Sequence, residues 1–215
     1  TVNRILESIQ FVETMAGRPV AELSEAEFFT SHEGLHLWYE QAQTRQVPRR
    51  TGWYNLTTHL PWIGDRTRDL DGAHVEYFRG IANPIGVKVG PTMTPDGLVA
   101  LMERLDPALE PGRLTLIHRF GADRIETCLP PLIAAVQANR RMPLWCCDPM
   151  HGNTEMTESG YKTRTFDRIL SELDQAFDLH RRAGSWLGGV HFELTGEDIT
   201  ECTGGARGLN EEGLA

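Results

Sequence analysis

From about residue 62 onward the chain switches repeatedly between two hydrophobic periods. Short β-rich runs with alternating or unbroken apolar positions are followed by stretches whose apolar residues recur every three or four places. Ile85-Gly-Val-Lys-Val89 reads as a strand. Thr94 to Arg104 reads as a helix, with Pro95 near its start and Leu98, Leu101 and Met102 on one face. Arg113 to Arg119 is the next strand, and Asp123 to Asn139 a helix with a break expected at Pro130-Pro131. A strand over 142–147 precedes an amphipathic helix from Thr165 to Arg182, with Phe166, Ile169, Leu170, Leu173, Phe177 and His180 along one side. Gly188 to Thr195 is the last strand. Residues 1–60 read differently. Arg4 to Met15 and Ser31 to Gln46 suggest helices, and Pro48 to Thr58 a loop. This predicts a helical N-terminal segment, partly an elaboration, in front of an alternating core over 61–215.

Strand–helix alternation implies right-handed βαβ units and a parallel sheet, hence an α/β fold. No GxGxxG or GxxxxGK[ST] loop follows any strand, so phosphate-loop versions of the open sheet lose support. The chemically suggestive residues sit at the C-terminal ends of several strands, which favours a (β/α)8 TIM barrel. A full barrel needs about 200–250 residues, and the pattern accounts for only four or five strands. Either strands lie hidden in the N-terminal part or the chain covers roughly the second half of a barrel.

Composition adds exclusions. Hydrophobic residues make up 40% and charged ones 24%, a globular balance. A formal charge of −9 argues against nucleic-acid binding. No apolar run approaches the roughly 18 residues of a membrane span. Cys128, Cys146, Cys147 and Cys202 form neither a disulfide framework nor a CxxC pair, so a reducing, cytoplasmic compartment is expected.

Three cations stand at strand ends: Arg66 in LPWIGDR, Lys88 in IGVKVGP and Arg119 in RLTLIHRFG. A buried cation needs an anionic partner. Each taken alone is as readily an internal salt bridge; together, beside glycines, they favour a phosphate or carboxylate site. His151 follows Asp148-Pro149 in the stretch WCCDPMHGNT, and Glu193 lies on the HFEL run opposite Val190, Phe192 and Leu194. An imidazole and a carboxylate suit a divalent metal, though a turn histidine bonded to backbone accounts equally for His151 alone, and two ligands make an incomplete site. Cys146 and Cys147 read as small packing residues. His74 and His191 read as structural, and Trp38, Trp53, Trp62, Trp145 and Trp186 as core or packing residues.

The segments WIGDRTRDLDGAHVEYFRGIANPIGVKVGPTMTP, EPGRLTLIHRFGADRI, CDPMHGNT, GYKTRTFDRIL and GGVHFELTGEDITECTGG together resemble the class II 3-deoxy-D-arabino-heptulosonate 7-phosphate (DAHP) synthases. The resemblance runs from about Phe28 to about Gly205. It implies a (β/α)8 barrel with extra helices and condensation of phosphoenolpyruvate with erythrose 4-phosphate, the entry to aromatic biosynthesis. It also implies a divalent metal, with Mn2+ expected ahead of Co2+ or Zn2+, and a homo-oligomer. Carried over motif by motif, Arg66, Lys88 and Arg119 would hold phosphoenolpyruvate, with Asp65 beside them, and His151 and Glu193 would bind the metal.

The chain departs from the family pattern in places. Asp65 stands where the family usually has Glu, which shortens its reach, and Phe120 replaces the Met of Met-Gly. The family's ligand cysteine, its KPRS loop for the aldose phosphate and its CDPRLN aspartate have no counterpart here, so two of four expected metal ligands are present. A longer enzyme is therefore the leading expectation. A non-catalytic half-barrel that binds a partner or phosphometabolite is the second. The same reaction feeding a secondary branch such as phenazines is the third.

Overall fold

The computed structural model describes residues 2–18, 28–194, 200–205 and 208–210. The chain divides into two compact units, Thr1–Thr30 and Ser31–Ala215. The first contains helix α1 (Val2–Ala16).

The second unit opens with strand β1 (Ser31–Glu33), helix α2 (Leu37–Ala42) and strand β2 (Thr44–Arg45), where the sequence suggested one helix from Ser31 to Gln46. Buried Glu40 is the reason. Its carboxylate accepts from His32 Nε2 (2.9 Å), Asn55 Nδ2 (2.6 Å) and Thr57 Oγ1 (2.8 Å), a set that a straight helix would scatter. Asn55 belongs to β3 (Tyr54–Asn55), which pairs antiparallel with β2 inside the expected loop.

Four strand–helix steps follow. Strand β4 (Leu60–Ile63) leads to helix α3 (Ala73–Gly80), β5 (Ile85–Val89) to α4 (Pro95–Leu105), and β6 (Leu114–His118) to α5 (Ile125–Ala138). Strand β7 (Leu144–Cys147) runs into a short 3-10 turn, His151–Asn153. After β8 (Glu155–Met156) and β9 (Lys162–Thr165) come α6 (Phe166–Arg182) and β10 (Leu187–Val190). Strand β11 (Cys202–Thr203) joins β9 and β8 in a separate three-stranded sheet.

Among the described residues the main sheet has six strands in the order β1-β4-β5-β6-β7-β10, all parallel. Each new strand is added at the same edge, with no reversal of order and so no switch-point crevice of the doubly wound kind. Successive right-handed crossovers then place the helices on one face. Ile85, Val87, Val89, Leu114, Leu116, Trp145 and Cys147 face that layer and share one core with Leu98, Met102, Leu129, Leu132 and Ala176. Lys88, Ile117 and Cys146, in register with each other, face the opposite way.

Three expectations need correction. Helix α5 is continuous through Pro130 and Pro131. Their missing N–H groups strand the carbonyls of exposed Glu126 and Thr127, which water can satisfy, while Ile125, Leu129, Leu132, Ile133 and Val136 anchor the buried face. Helix α6 buries Ile169, Glu172, Ala176, Leu179 and His180, whereas Phe166, Leu170 and Phe177 are exposed. The buried stripe is thus rotated from the expected one. Strand β10 ends at Val190 instead of Thr195; Thr195 itself lies outside the described residues. The physical cause is β7, its neighbour among the described residues. His191 N donates to Cys147 O (2.8 Å), and Asp148-Pro149 then turns away, leaving no ladder to continue. Among the tryptophans, Trp145 is buried, but Trp38, Trp53 and Trp186 are exposed.

Candidate active site

The strand ends gather the polar side chains. Lys88 emerges near the end of β5 and is 3% exposed. The structure supplies the partner that its burial demands: Nζ is ion-paired with Asp148 Oδ2, just past the end of β7. That pair is the internal salt bridge the sequence left open for this lysine taken alone. Nζ also stands 4.9 Å from the Trp62 ring centroid, within cation–π range.

Asp148 is fully buried and saturated. Its Oδ1 accepts from the amides of Met150 (3.0 Å) and His151 (3.1 Å), and Oδ2 also meets His151 Nδ1 at 2.7 Å. Burial pushes the carboxyl pKa up, but the His151 hydrogen bond and the Lys88 charge outweigh it and hold it well below the ordinary range. The Asp148 contact fixes the His151 ring and leaves Nε2 directed at Glu193 Oε1, 3.0 Å away. A histidine oriented by a carboxylate through one nitrogen, with the other facing a second carboxylate, makes with that carboxylate a fitting pair of metal ligands. Glu193 sits past the end of β10 with its side chain 57% exposed, not on a strand face as its HFEL alternation suggested.

Arg119, following β6, donates to Asp65 Oδ2 (3.3 Å) and to the carbonyl of His151 (2.7 Å). Its Nε is buried without a hydrogen-bond partner. Asp65, in the turn after β4, accepts the Gly90 amide (3.0 Å) and Arg68 Nε (2.9 Å) at Oδ1. A Cβ at position 90 would stand 2.4 Å from Asp65 Oδ2, so only glycine admits that contact. The Arg119 and His151 loops are pinned backbone to backbone: a Cβ on Gly152 would lie 2.2 Å from the Gly121 nitrogen. Gly121 also has φ +86°, a conformation that side chains disfavour.

The ends of β4, β5, β6 and β7 and the segment after β10 thus bring Asp65, Lys88, Arg119, His151 and Glu193 into one contact chain through Asp148. Arg66 is not in it. It is exposed in the turn after β4 and makes no ion pair among the described residues.

Sequence reasoning missed Asp148, Trp62 and His191. Asp148 was visible inside CDPMHGN as the nearest carboxylate to His151. His191 packs edge-on against Trp62 at 5.6 Å between ring centroids, and burial lowers its pKa. Also missed was a second polar group, on the helix side of the sheet. His118, Cys147 and Glu172 each offer a ligand atom, all within 4.8 Å of one another and all buried. Burial pushes the Cys147 thiol pKa up and holds His118 down to about 3.

Comparison with known proteins agrees with this picture. The sequence matches the class-II DAHP synthetase family over residues 1–215. It is 47% identical to the phospho-2-dehydro-3-deoxyheptonate aldolase of Neurospora crassa, over all of the chain and 48% of that relative. Against the AroG enzyme of that name from Mycolicibacterium smegmatis the identity is 51%, over 90% of the chain and 43% of the relative. The Streptomyces coelicolor enzyme is likewise 51% identical, over 88% and 42%. The chain therefore spans about half the length of the relatives it matches. Matched from end to end, and carrying its polar motifs on the ends of successive parallel strands, the chain belongs to the class-II DAHP synthetase family.

Proposed function

We propose that this chain is part of a 3-deoxy-7-phosphoheptulonate synthase, joining phosphoenolpyruvate to erythrose 4-phosphate at the C-terminal mouth of a (β/α)8 barrel. The observation that carries the reading is the chain of contacts from Lys88 through Asp148 and His151 to Glu193, with Arg119 alongside. The unreversed strand order supports the barrel. Edge strands β1 and β10 are where its remaining strands would pair.

In this reading Lys88 and Arg119 bind the phosphate and carboxylate of phosphoenolpyruvate. Lys88 spends one of its N–H donors on Asp148 and has two left to give. Arg119 turns its fork from Asp65 towards the ligand, and Arg66 closes over it from the exposed turn. Asp148 holds the ammonium and the imidazole in one frame, so both are oriented before substrate arrives. The methylene carbon of phosphoenolpyruvate attacks the aldehyde carbon; water adds at the resulting cationic carbon, and inorganic phosphate leaves. The cations balance the charge moving through these steps. His151 and Glu193 would hold a divalent ion, Mn2+ being well suited to imidazole and carboxylate. When bound, that ion supplies Lewis-acid polarisation of the aldehyde oxygen. A cytoplasmic location and a homo-oligomeric state accompany the reading. No helix among the described residues is long and apolar enough to cross a membrane.

Calorimetric titration with phosphoenolpyruvate is the test. Arg119→Met should weaken binding by about 2–5 kcal/mol, as expected for loss of a buried charge contact. His151→Ala should abolish metal-dependent turnover after chelation and metal add-back. Unchanged affinity in the first, together with parental turnover in the second, would sink the proposal.

A further inference from the structure

The orphaned nitrogens of His118 are the starting point. Both its Nδ1 and its Nε2 are buried with no hydrogen-bond partner among the described residues. The residue is 0% exposed, so bulk solvent does not reach them. A buried donor and acceptor left unpaired are costly, and native structures rarely keep them without an ion, a water or a chemical role. The two nearby groups that offer ligand atoms are the Cys147 sulfur and the Glu172 carboxylate.

Glu172 is held ready for a further partner. Its Oε1 accepts the amides of Phe120 (2.8 Å) and Gly121 (2.9 Å), which fills that oxygen. Its Oε2 accepts only Asn153 Nδ2 (2.7 Å) and keeps a lone pair. The surroundings are dry and rigid. The Phe120 ring stacks on His118 at 5.7 Å between centroids, and Trp145 and His180 close the other sides at 6.2 and 5.7 Å.

We propose that His118, Cys147 and Glu172 form a structural metal site of the zinc class, between the sheet and helix α6, separate from the mouth where His151 and Glu193 stand. Imidazole, thiolate and carboxylate are all ligands this ion accepts. Charge favours it as well. A divalent ion with one thiolate, one carboxylate and a neutral imidazole is neutral overall, the one charge state a fully buried cluster tolerates well. The thiol proton passes to solvent as the Cys147–metal bond forms. Because every ligand is buried, the ion is loaded while α6 docks onto the sheet. His118 directly precedes Arg119, and Cys147 directly precedes Asp148. The ion would therefore clamp the two strand ends that carry the mouth's cation and its central carboxylate.

The experiment uses protein produced in cobalt-supplemented minimal medium, carrying His151→Ala to remove the mouth's imidazole ligand. After dialysis against a chelator, one cobalt ion per chain should remain, with a near-ultraviolet thiolate-to-cobalt band. With cobalt added back to about a hundredfold excess over Kd, the melting midpoint should exceed that of metal-free protein by about 5–10 °C. Adding Cys147→Ser, or Cys147→Ala should the serine not fold, should remove ion, band and stabilisation while leaving a cooperative melt. No retained cobalt in His151→Ala protein, or a band that survives loss of Cys147, would overturn the site.

Discussion

Strands β6 and β7 each end in a pair of neighbouring residues that point to opposite faces, and the two faces solve the same burial problem differently. On one face Asp148 is saturated: two amides, an imidazole and an ammonium converge on its oxygens. On the other, His118 keeps two ring nitrogens with no hydrogen-bond partner among the described residues. One face retains charge because each charge is met. On the other, desolvation keeps the histidine unprotonated and the thiol intact, while the Glu172 carboxylate is met by two amides and Asn153. A charged group in a protein interior thus marks complete pairing, whereas a neutral polar group marks capacity in reserve.

The contrast breaks most readily on the charged face. Lys88→Met should cost about 3–5 kcal/mol in urea unfolding, because it leaves buried Asp148 without its main counter-charge. Adding Asp148→Asn should recover part of the loss; a stable single variant would show that the pair contributes nothing.

Acid should break the other face next. His118 and His180 titrate near 6.5 when unfolded but are held to about 3 and about 4 in the fold, chiefly by burial. The unfolded chain therefore takes up protons first as pH falls, and stability must drop. Chelated protein should be unaffected above about pH 6.5 and lose a few kcal/mol by about pH 4. His180→Gln should flatten that slope, and a flat parental profile would contradict the burial of both rings.

Glu172→Ala sharpens the comparison at smaller scale. It frees two amides and the Asn153 side chain, and about 2 kcal/mol should be lost in thermal melts. Arg66→Met is the smallest. This exposed residue should change stability by no more than about 0.5 kcal/mol, yet phosphoenolpyruvate affinity should fall if it closes over the ligand.

Strands β5 to β7 were legible because their residues are apolar on both sides, and a lysine inside such a run had to be buried. The pairing of Lys88 was not legible. Asp148 lies 60 residues away and becomes its neighbour only through the register of three strands. Helix α6 misled for a related reason. Periodicity counts Glu172 as polar and turns it outward, while the amides of Phe120 and Gly121 draw it in. His118 carried no motif at all, since an isolated histidine in a strand signals nothing until its surroundings exist. Glu193 was identified by its motif but assigned to a strand, because alternation does not reveal where the neighbouring strand stops.

The order of the main sheet bears on how the chain acquires its shape. Each strand from β4 onward pairs with the main-sheet strand made just before it. A chain emerging from the ribosome would find each partner already in place, and no strand would have to be threaded between two others. Loop closures stay short and the search at each step is local, which favours rapid, vectorial assembly over a late global collapse. Pausing translation within α6 should therefore leave β4 to β7 already paired, with the His118 cluster still open until α6 docks.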